Sequence, residues 1–367
     1  MSQNERPINE IHLTGYKSIR ELDLKLQPLN ILIGANGAGK TNFISLFTLV
    51  RNIIDRRLST YVREQGGANA LLHFGRQTTA EIEIRLAAGA NSYLCTLAPG
   101  AGDQLFFTSE KVWFHEEGHP TPSEQILGSG HEETRLSNEV GQSTILILLD
   151  VIQSMKSWRV YHFHDTSPSA EVKQTAKLND NAVLRPNAGN LAAFLYLLQE
   201  KEPHAFRRIV AAIRQVAPFF DNFVLRPDPF NEDRIRLEWQ EKGSEDYFTA
   251  DYLSDGTLRF ICLSTLLLQP NLPSTILIDE PELGLHPYAI TLLASMLRKA
   301  AKQTQVIVST QSAPLVNQFR PEDIIVVDRE GPASTFRRLE QDKLDTWLED
   351  YGLGDLWEKN ILGGRPQ

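Results

Sequence analysis

The sequence predicts an α/β protein in which a mostly parallel core sheet carries an antiparallel β subdomain and a helical subdomain. Three observations predict it. Leu29–Ile33 and residues 274–279 and 305–309 are continuous apolar runs, the pattern of strands covered on both faces. Residues 81–86 (EIEIRL) and 93–97 alternate with period two between Gly, Asn and Pro, the pattern of an antiparallel meander wet on one face. Residues 190–200 and Pro203–Val216 are helical stretches with apolar faces. The 367 residues suffice for one large domain with insertions or for two domains.

In chain order, residues 8–13 form a first strand. Residues 19–26 form a second, with Leu22, Leu24 and Leu26 alternating against Glu21, Asp23 and Lys25 until Pro28 ends it. After Leu29–Ile33 comes a helix with Phe43, Ile44, Phe47, Leu49 and Val50 as its buried stripe and Arg51, Arg56 and Arg57 beyond. Residues 111–114 add a third short run to the meander. Residues 115–138 are polar, with His115, His119 and His131 among glutamates, and read as a loop. Residues 143–155 read as an apolar helix, 159–163 as a short strand, and 234–239 as one alternating strand before a turn at Glu241-Lys242-Gly243. A helix over 257–268 leads to the buried strand 274–279, and 324–327 is a further parallel strand. These pieces group as an N-terminal lobe (1–74), an antiparallel insertion with its polar loop (75–140), a mainly helical insertion (141–252) and a C-terminal lobe (253–367).

Gly34-Ala-Asn36-Gly37-Ala38-Gly39-Lys40-Thr41-Asn42 joins an apolar strand to a helix. That context makes a G-x-x-x-x-G-K-[ST] stretch a phosphate cradle. The glycines let the backbone curl until its N–H groups point inward, and the helix N-terminus offers further unpaired donors to the same anion. Lys40 supplies a point charge for the β- and γ-phosphates, and the Thr41 hydroxyl is a ligand for Mg²⁺.

Composition excludes several classes. The net charge of −9 argues against coating nucleic acid by charge alone but leaves room for a local basic groove. Cys95 and Cys262 form no C-x-x-C pair, so a disulfide framework or zinc ribbon is not expected and a reducing cytosol fits. The N-terminus lacks an apolar signal region, and no apolar run nears the ~20 residues that span a bilayer, so no membrane partner is expected.

Two further stretches carry chemistry. Ile276-Leu-Ile-Asp279-Glu280 ends a buried strand in an acidic pair: Asp279 to help hold Mg²⁺, Glu280 to poise a water for in-line attack on the γ-phosphate. The plainer reading is a pair capping a helix after Pro281. Leu253-Ser254-Asp255-Gly256-Thr257 opens an apolar helix, where Ser254 is an N-cap residue and an anion-site residue at once. It lies 25 residues before Asp279.

With those residues the chain resembles the ABC-type ATPases, whose signature begins Leu-Ser-x-Gly shortly before the Asp-Glu strand. The resemblance implies a P-loop NTPase head and a homodimer with ATP sandwiched between one subunit's phosphate loop and the other's Ser254 and Gly256. It also implies that the loop Pro281–Pro287, with His286, communicates with the partner's site, although a turn before a helix-starting proline explains His286 equally well. Where most of the family has a switch histidine, this chain has Gln311, which hydrogen-bonds but carries no charge; the hydrolysis rate is thereby in question. For the family's glutamine loop, which would touch nucleotide and Mg²⁺, Gln142 is the first candidate and Gln77 the second. Gly256 stands 216 residues after Lys40, too far for a transporter motor, and no heptads fill the gap. The chain is therefore similar to the compact RecF-like and OLD-like members of the group that includes SMC heads. Leu13-Thr-Gly-Tyr-Lys-Ser-Ile19 matches their opening, and 347–366 looks like the tail of stand-alone bacterial members without a nuclease domain.

The expectation is a cytoplasmic, Mg²⁺-dependent ATPase that switches by dimerising and acts on DNA in repair or anti-phage defence. The alternative is an ATP-gated scaffold for a separate effector, a nuclease or toxin, with little turnover. Basic patches from Arg51, Arg56, Arg57, Arg207 and Arg208 would serve DNA but equally suit ordinary surface. His162-Phe163-His164 could place two imidazoles on one strand face, which is too few for a metal site.

Overall fold

The computed structural model describes residues 7–89, 91–114, 123–136, 152 and 155–364. They fall into two units, residues 1–158 with 320–367, and residues 159–319.

The first unit contains a six-stranded antiparallel sheet. In spatial order its strands are Ile19–Lys25, Glu10–Tyr16, Ile82–Ala88, Asn91–Pro99, Leu105–Phe114 and Ser123–Gly128. The N-terminal pair of strands and the meander thus share one sheet, with Leu13 paired to Leu22 on one side and Ile84 on the other. Period-two alternation puts Ile11, Leu13, Leu22, Ile84, Leu86 and Cys95 inside, while Glu10, Glu21, Asp23 and Arg85 face outward. The same unit pairs the fully buried Leu29–Ile33 in parallel with Ile324–Glu330, which turns back antiparallel into Ala333–Arg338. The helix Lys40–Ile54 buries the expected stripe of Phe43, Ile44, Phe47, Leu49 and Val50.

Residues 123–136, read from sequence as part of a polar loop, include the edge strand Ser123–Gly128. Its composition hides it because an edge strand keeps most side chains wet; Leu127 is buried but Glu124 pairs outward with Lys111 at 3.1 Å. The following residues are anchored by the fully buried Glu110. Its Oε1 accepts from the hydroxyls of Tyr93 (2.9 Å) and Thr134, and its Oε2 accepts from the Arg135 backbone N–H (3.0 Å) and lies 2.9 Å from His131 Nε2. The His131 ring stacks on Phe107. His131 is therefore an interior structural residue; His115 and His119 lie outside the described residues.

In the second unit Thr275–Asp279 lies between Arg159–Tyr161 and Gln305–Thr310, all parallel. Parallel strands buried on both faces account for the unbroken apolar runs. The helices Leu191–Lys201 and Pro203–Val216 follow the sequence reading closely. Residues 234–239 do not. Asn231–Ile235 pairs with Ala176–Lys177 and Pro227–Asp228, whereas Glu238–Glu241 joins Phe220–Phe223 and Tyr247–Thr249. Ile235, Leu237 and Trp239 are all buried, so the alternation persists while the strand changes sheet at Arg236-Leu237. The predicted helix 143–155 lies almost wholly outside the described residues. Among the described residues no helix is long and apolar enough to cross a membrane.

Burial pushes both thiols up, that of Cys262 to about 12, and the thiolate is the reactive form. Neither cysteine should react with an aromatic disulfide reagent in the native protein, and both should react once it is unfolded in guanidinium. Release of one equivalent of chromophore from the native protein at the rate of an exposed thiol would contradict the packing described for that cysteine.

Candidate functional site

In the first unit the strand Leu29–Ile33 delivers the chain into the phosphate loop, and the helix Lys40–Ile54 takes it out. Gly39 has φ 123° and caps that helix without a side-chain hydrogen bond, so the first-turn N–H groups keep no side-chain partner from the cap. A Cβ at Gly39 would stand 2.2 Å from Ser334 Oγ at a positive φ, so any other residue there is strained and must displace Ser334. Ser334 Oγ lies 2.5 Å from the Ala38 carbonyl and 2.7 Å from Ser18 Oγ, and Ser18 Oγ accepts from Asn42 Nδ2 at 2.7 Å. The loop is thus braced by a serine near the N-terminus and one from the Ile324–Glu330/Ala333–Arg338 hairpin. Lys40 is buried, and its ammonium donates to the carbonyls of Gly34 (2.6 Å) and Ala35 (3.0 Å). Asn36, Gly37 and Thr41 are exposed. Arg329 donates to the Gly37 carbonyl at 3.3 Å, which brings a second cation to the loop. The sequence reading covers Gly34 through Asn42 but misses Ser18, Ser334 and Arg329. Ser334 meets Ala38 across 296 residues of chain and Arg329 meets Gly37 across 292, so no local signal marks those two. Ser18 lies in the stretch Leu13–Ile19, but only its contacts with Ser334 and Asn42 place it at the loop.

In the second unit Asp279 and Glu280 stand at the carboxyl end of the buried strand Thr275–Asp279. They do not cap a helix: the next one begins at Pro287, capped by the His286 ring through the Tyr288 N–H. The structure thus gives His286 a capping role. Glu280 has φ 42°, a left-handed conformation that costs a non-glycine residue on the order of 1–3 kcal/mol and persists only where neighbours enforce it. Its N–H donates to the Ser309 carbonyl at 2.9 Å, the Ser309 hydroxyl donates to Asp279 Oδ1, and Gln311 Nε2 donates to Glu280 Oε1. Gln311 therefore meets the acidic pair. Glu282 is buried and accepts from the Thr310 hydroxyl (2.5 Å) and the Gln311 N–H (3.2 Å), while its Oε2 has no partner among the described residues. Burial raises its pKa above the ordinary value of 4.5 against those hydrogen bonds.

Two histidines set aside at the sequence level reach the same strand end. Pairing of Tyr161 with Ile278 carries His162 and His164 alongside Asp279, and His164 Nε2 donates to the Asp279 carbonyl at 2.8 Å. Burial lowers the His162 pKa, and the Asp279 charge partly restores it. Their signal was the end of an apolar strand, legible only once that strand's neighbour is known.

Ser254 is exposed and caps the helix Asp255–Leu268, its Oγ accepting from the Thr257 N–H at 3.2 Å. A Cβ at Gly256 would stand 2.3 Å from the Gly284 carbonyl, so the glycine is required by close approach of the 281–287 loop. Gln77 is exposed on a turn of the first unit, and Gln142 lies outside the described residues.

Residues 124–317 match the family model described as "AAA domain, putative AbiEii toxin, Type IV TA system". The chain belongs to this AAA-domain family. Among curated proteins it is similar to the OLD nuclease of Thermus scotoductus (strain ATCC 700910 / SA-01), 23% identical across 95% of this chain and 67% of that one. It is also similar to the DNA replication and repair protein RecF of Paenarthrobacter aurescens (strain TC1), 32% identical over 96 residues. That stretch is 26% of this chain and only 22% of the RecF protein. Among solved structures it resembles an Smc head bound to the C-terminal winged-helix domain of ScpA, at TM-score 0.58 and 15% identity over 93% of this chain and 99% of that one. An Smc head with an extended coiled coil, bound to the C-terminal domain of ScpA derived from Pyrococcus furiosus, matches at TM-score 0.53 and 15% identity over 94% and 99%. The fold of this AAA-domain protein is that of an ABC-type ATPase head of the RecF/OLD/SMC group, and membership implies nucleotide binding.

Because Glu282 binds its proton more tightly folded than unfolded, wild-type stability should fall as pH rises from about 4.5 through the raised folded-state value. Glu282→Gln, whose amide oxygen can keep both hydrogen bonds, should remove that part of the slope. Urea denaturation followed across this pH range checks it; identical slopes in the two proteins would show that Glu282 is not protonated preferentially in the fold.

Proposed function

We propose that the protein is an ATP-hydrolysing dimeric switch acting in DNA metabolism, in repair or in defence against phage. The observation that carries the reading is the preorganised carboxylate end: Asp279 held by the Ser309 hydroxyl, and Glu280 with its left-handed backbone held by the Ser309 carbonyl and its carboxylate held by Gln311. The phosphate loop supports it with a buried lysine and a helix whose cap leaves its N–H groups to an anion.

In this reading ATP phosphates replace the Gly34 and Ala35 carbonyls as partners of Lys40 and take the N–H groups of Ala38 to Asn42. Thr41 in the first unit carries an exposed hydroxyl-bearing side chain and Asp279 in the second a carboxylate, and each is by its own chemistry a hard oxygen donor of the kind Mg²⁺ takes. Mg²⁺, when bound, neutralises charge on the β- and γ-phosphates. Glu280 accepts the proton of the attacking water, and the Gln311 amide holds one carboxylate oxygen so that the other meets the water. Ser254 and Gly256 of a second copy complete the γ-phosphate site. With a net charge of −9, DNA would be met by local basic patches. Action in the cytoplasm fits this role.

A second reading is an ATP-gated scaffold for a separate effector with little turnover. The neutral Gln311, already engaged by Glu280, favours it because no positive charge stands there to stabilise the transition state.

Steady-state hydrolysis with and without DNA decides between them. The switch should turn over ATP, respond to DNA and lose on the order of 10²–10⁴-fold in kcat in Glu280→Gln. Negligible wild-type turnover with tight ATP-dependent association would sink the switch and leave the scaffold. Separately, Lys40→Ala should abolish ATP binding by calorimetry, whereas Ser254→Arg should spare binding and block ATP-dependent dimerisation in sedimentation velocity. Association that persists in Ser254→Arg would rule out the sandwich.

A further inference from the structure

Arg259 lies five residues after Ser254, on the helix Asp255–Leu268, and its guanidinium makes three hydrogen bonds, all to backbone carbonyls. Nε donates to Phe163 (3.2 Å), Nη2 to His164 (2.8 Å) and Nη1 to Leu283 (3.0 Å). The first two carbonyls belong to the segment that follows the strand Arg159–Tyr161. The third belongs to the loop just after Glu280. No carboxylate pairs with Arg259 among these contacts, so the rigid fork of the guanidinium is used to fix backbone. His164, gripped through its own carbonyl, in turn donates from Nε2 to the Asp279 carbonyl at 2.8 Å. That carbonyl belongs to the peptide joining Asp279 to Glu280, and Glu280 is the residue held at φ 42°.

The geometry points to a relay: Arg259 and His164 are positioning residues that tie the helix behind Ser254 to the Asp279–Glu280 peptide. The relay rests on the reading of Glu280 as the base and of Ser254 as part of a nucleotide site. The Asp279–Glu280 peptide is held at its N–H by the Ser309 carbonyl and at its carbonyl by His164, so it can rotate only by breaking the His164 bond as well as the Ser309 one. The His164 backbone can move only if the Arg259 fork lets go, and the same fork holds the loop that follows Glu280. A shift of the helix Asp255–Leu268 when its N-terminus meets a phosphate therefore reaches the Glu280 carboxylate through two hydrogen bonds and one backbone segment. Close packing of Gly256 against the Gly284 carbonyl makes the same loop follow the helix. Neither residue touches the reacting atoms; both act on where Glu280 stands.

The experiment is ATP hydrolysis and equilibrium ATP binding by the full chain, in wild type, Glu280→Gln, His164→Ala, His164→Gln, Arg259→Ala and the His164→Ala/Arg259→Ala double variant. Mispositioning of a base by about an ångström costs on the order of a hundredfold. His164→Ala and Arg259→Ala should therefore lose roughly tenfold to a hundredfold in kcat, with the ATP dissociation constant held within about twofold. His164→Gln, whose amide can donate to the same carbonyl, should recover most of the loss. The double variant should be no slower than the slower single one, because both residues act along one path. Unchanged kcat in His164→Ala overturns the relay. So do multiplicative losses in the double variant, or parallel losses of ATP binding and melting temperature in every variant including His164→Gln, which would make these residues part of the scaffold alone. A wild type indifferent to Glu280→Gln refutes the proposed function and the relay with it; a wild type sensitive to Glu280→Gln but indifferent to His164→Ala refutes the relay alone.

Discussion

Three carboxylates, Asp279, Glu280 and Glu282, crowd the end of one buried strand, and the second unit is arranged around that constraint. Like charges so close repel, and burial makes each charge more costly. Each is met differently. Asp279 takes the Ser309 hydroxyl, Glu280 takes the Gln311 amide, and Glu282 is driven toward its neutral form by burial. Ser309, Thr310 and Gln311 are consecutive residues at the end of the parallel neighbour strand, so a single register, Asp279 beside Ser309, delivers all three donors. The neutral Gln311 thus has a structural consequence, since it satisfies Glu280 without adding a cation.

The phosphate loop answers the opposite demand. A multiply charged anion needs converging N–H groups, and a loop that offers them must give up its own internal hydrogen bonds. The brace is supplied from outside the loop by Ser18 and Ser334, which hold the Ala38 carbonyl and Asn42. Lys40 meanwhile rests on the Gly34 and Ala35 carbonyls, partners that a phosphate can replace without moving the strand beneath.

Most of the architecture was legible because its signals are local. Period-two alternation marks the meander, unbroken apolar runs mark the parallel strands, and Pro203 marks the start of its helix. The errors have one kind of cause. Residues 234–239 keep their alternation while changing sheets, because burial has a period and hydrogen-bond partnership does not. The edge strand Ser123–Gly128 is polar because only one flank of it is covered. His131 looked like a solvated loop residue, and only Glu110, twenty-one positions earlier, shows why it is inside.

The sequence by itself determined the candidate site: Gly34–Asn42, Asp279, Glu280 and the Leu253–Gly256 stretch are written as residue types at fixed spacings, the pattern that binding phosphate and activating water would demand. Only the tertiary structure decided what surrounds those groups. Gln311 became a partner of Glu280, His164 a holder of the Asp279 carbonyl, and Gly256 a close-packing glycine, because strand register and loop approach bring together residues between 28 and 115 positions apart. No spacing rule connects such residues; their pairing is fixed by which strands lie side by side.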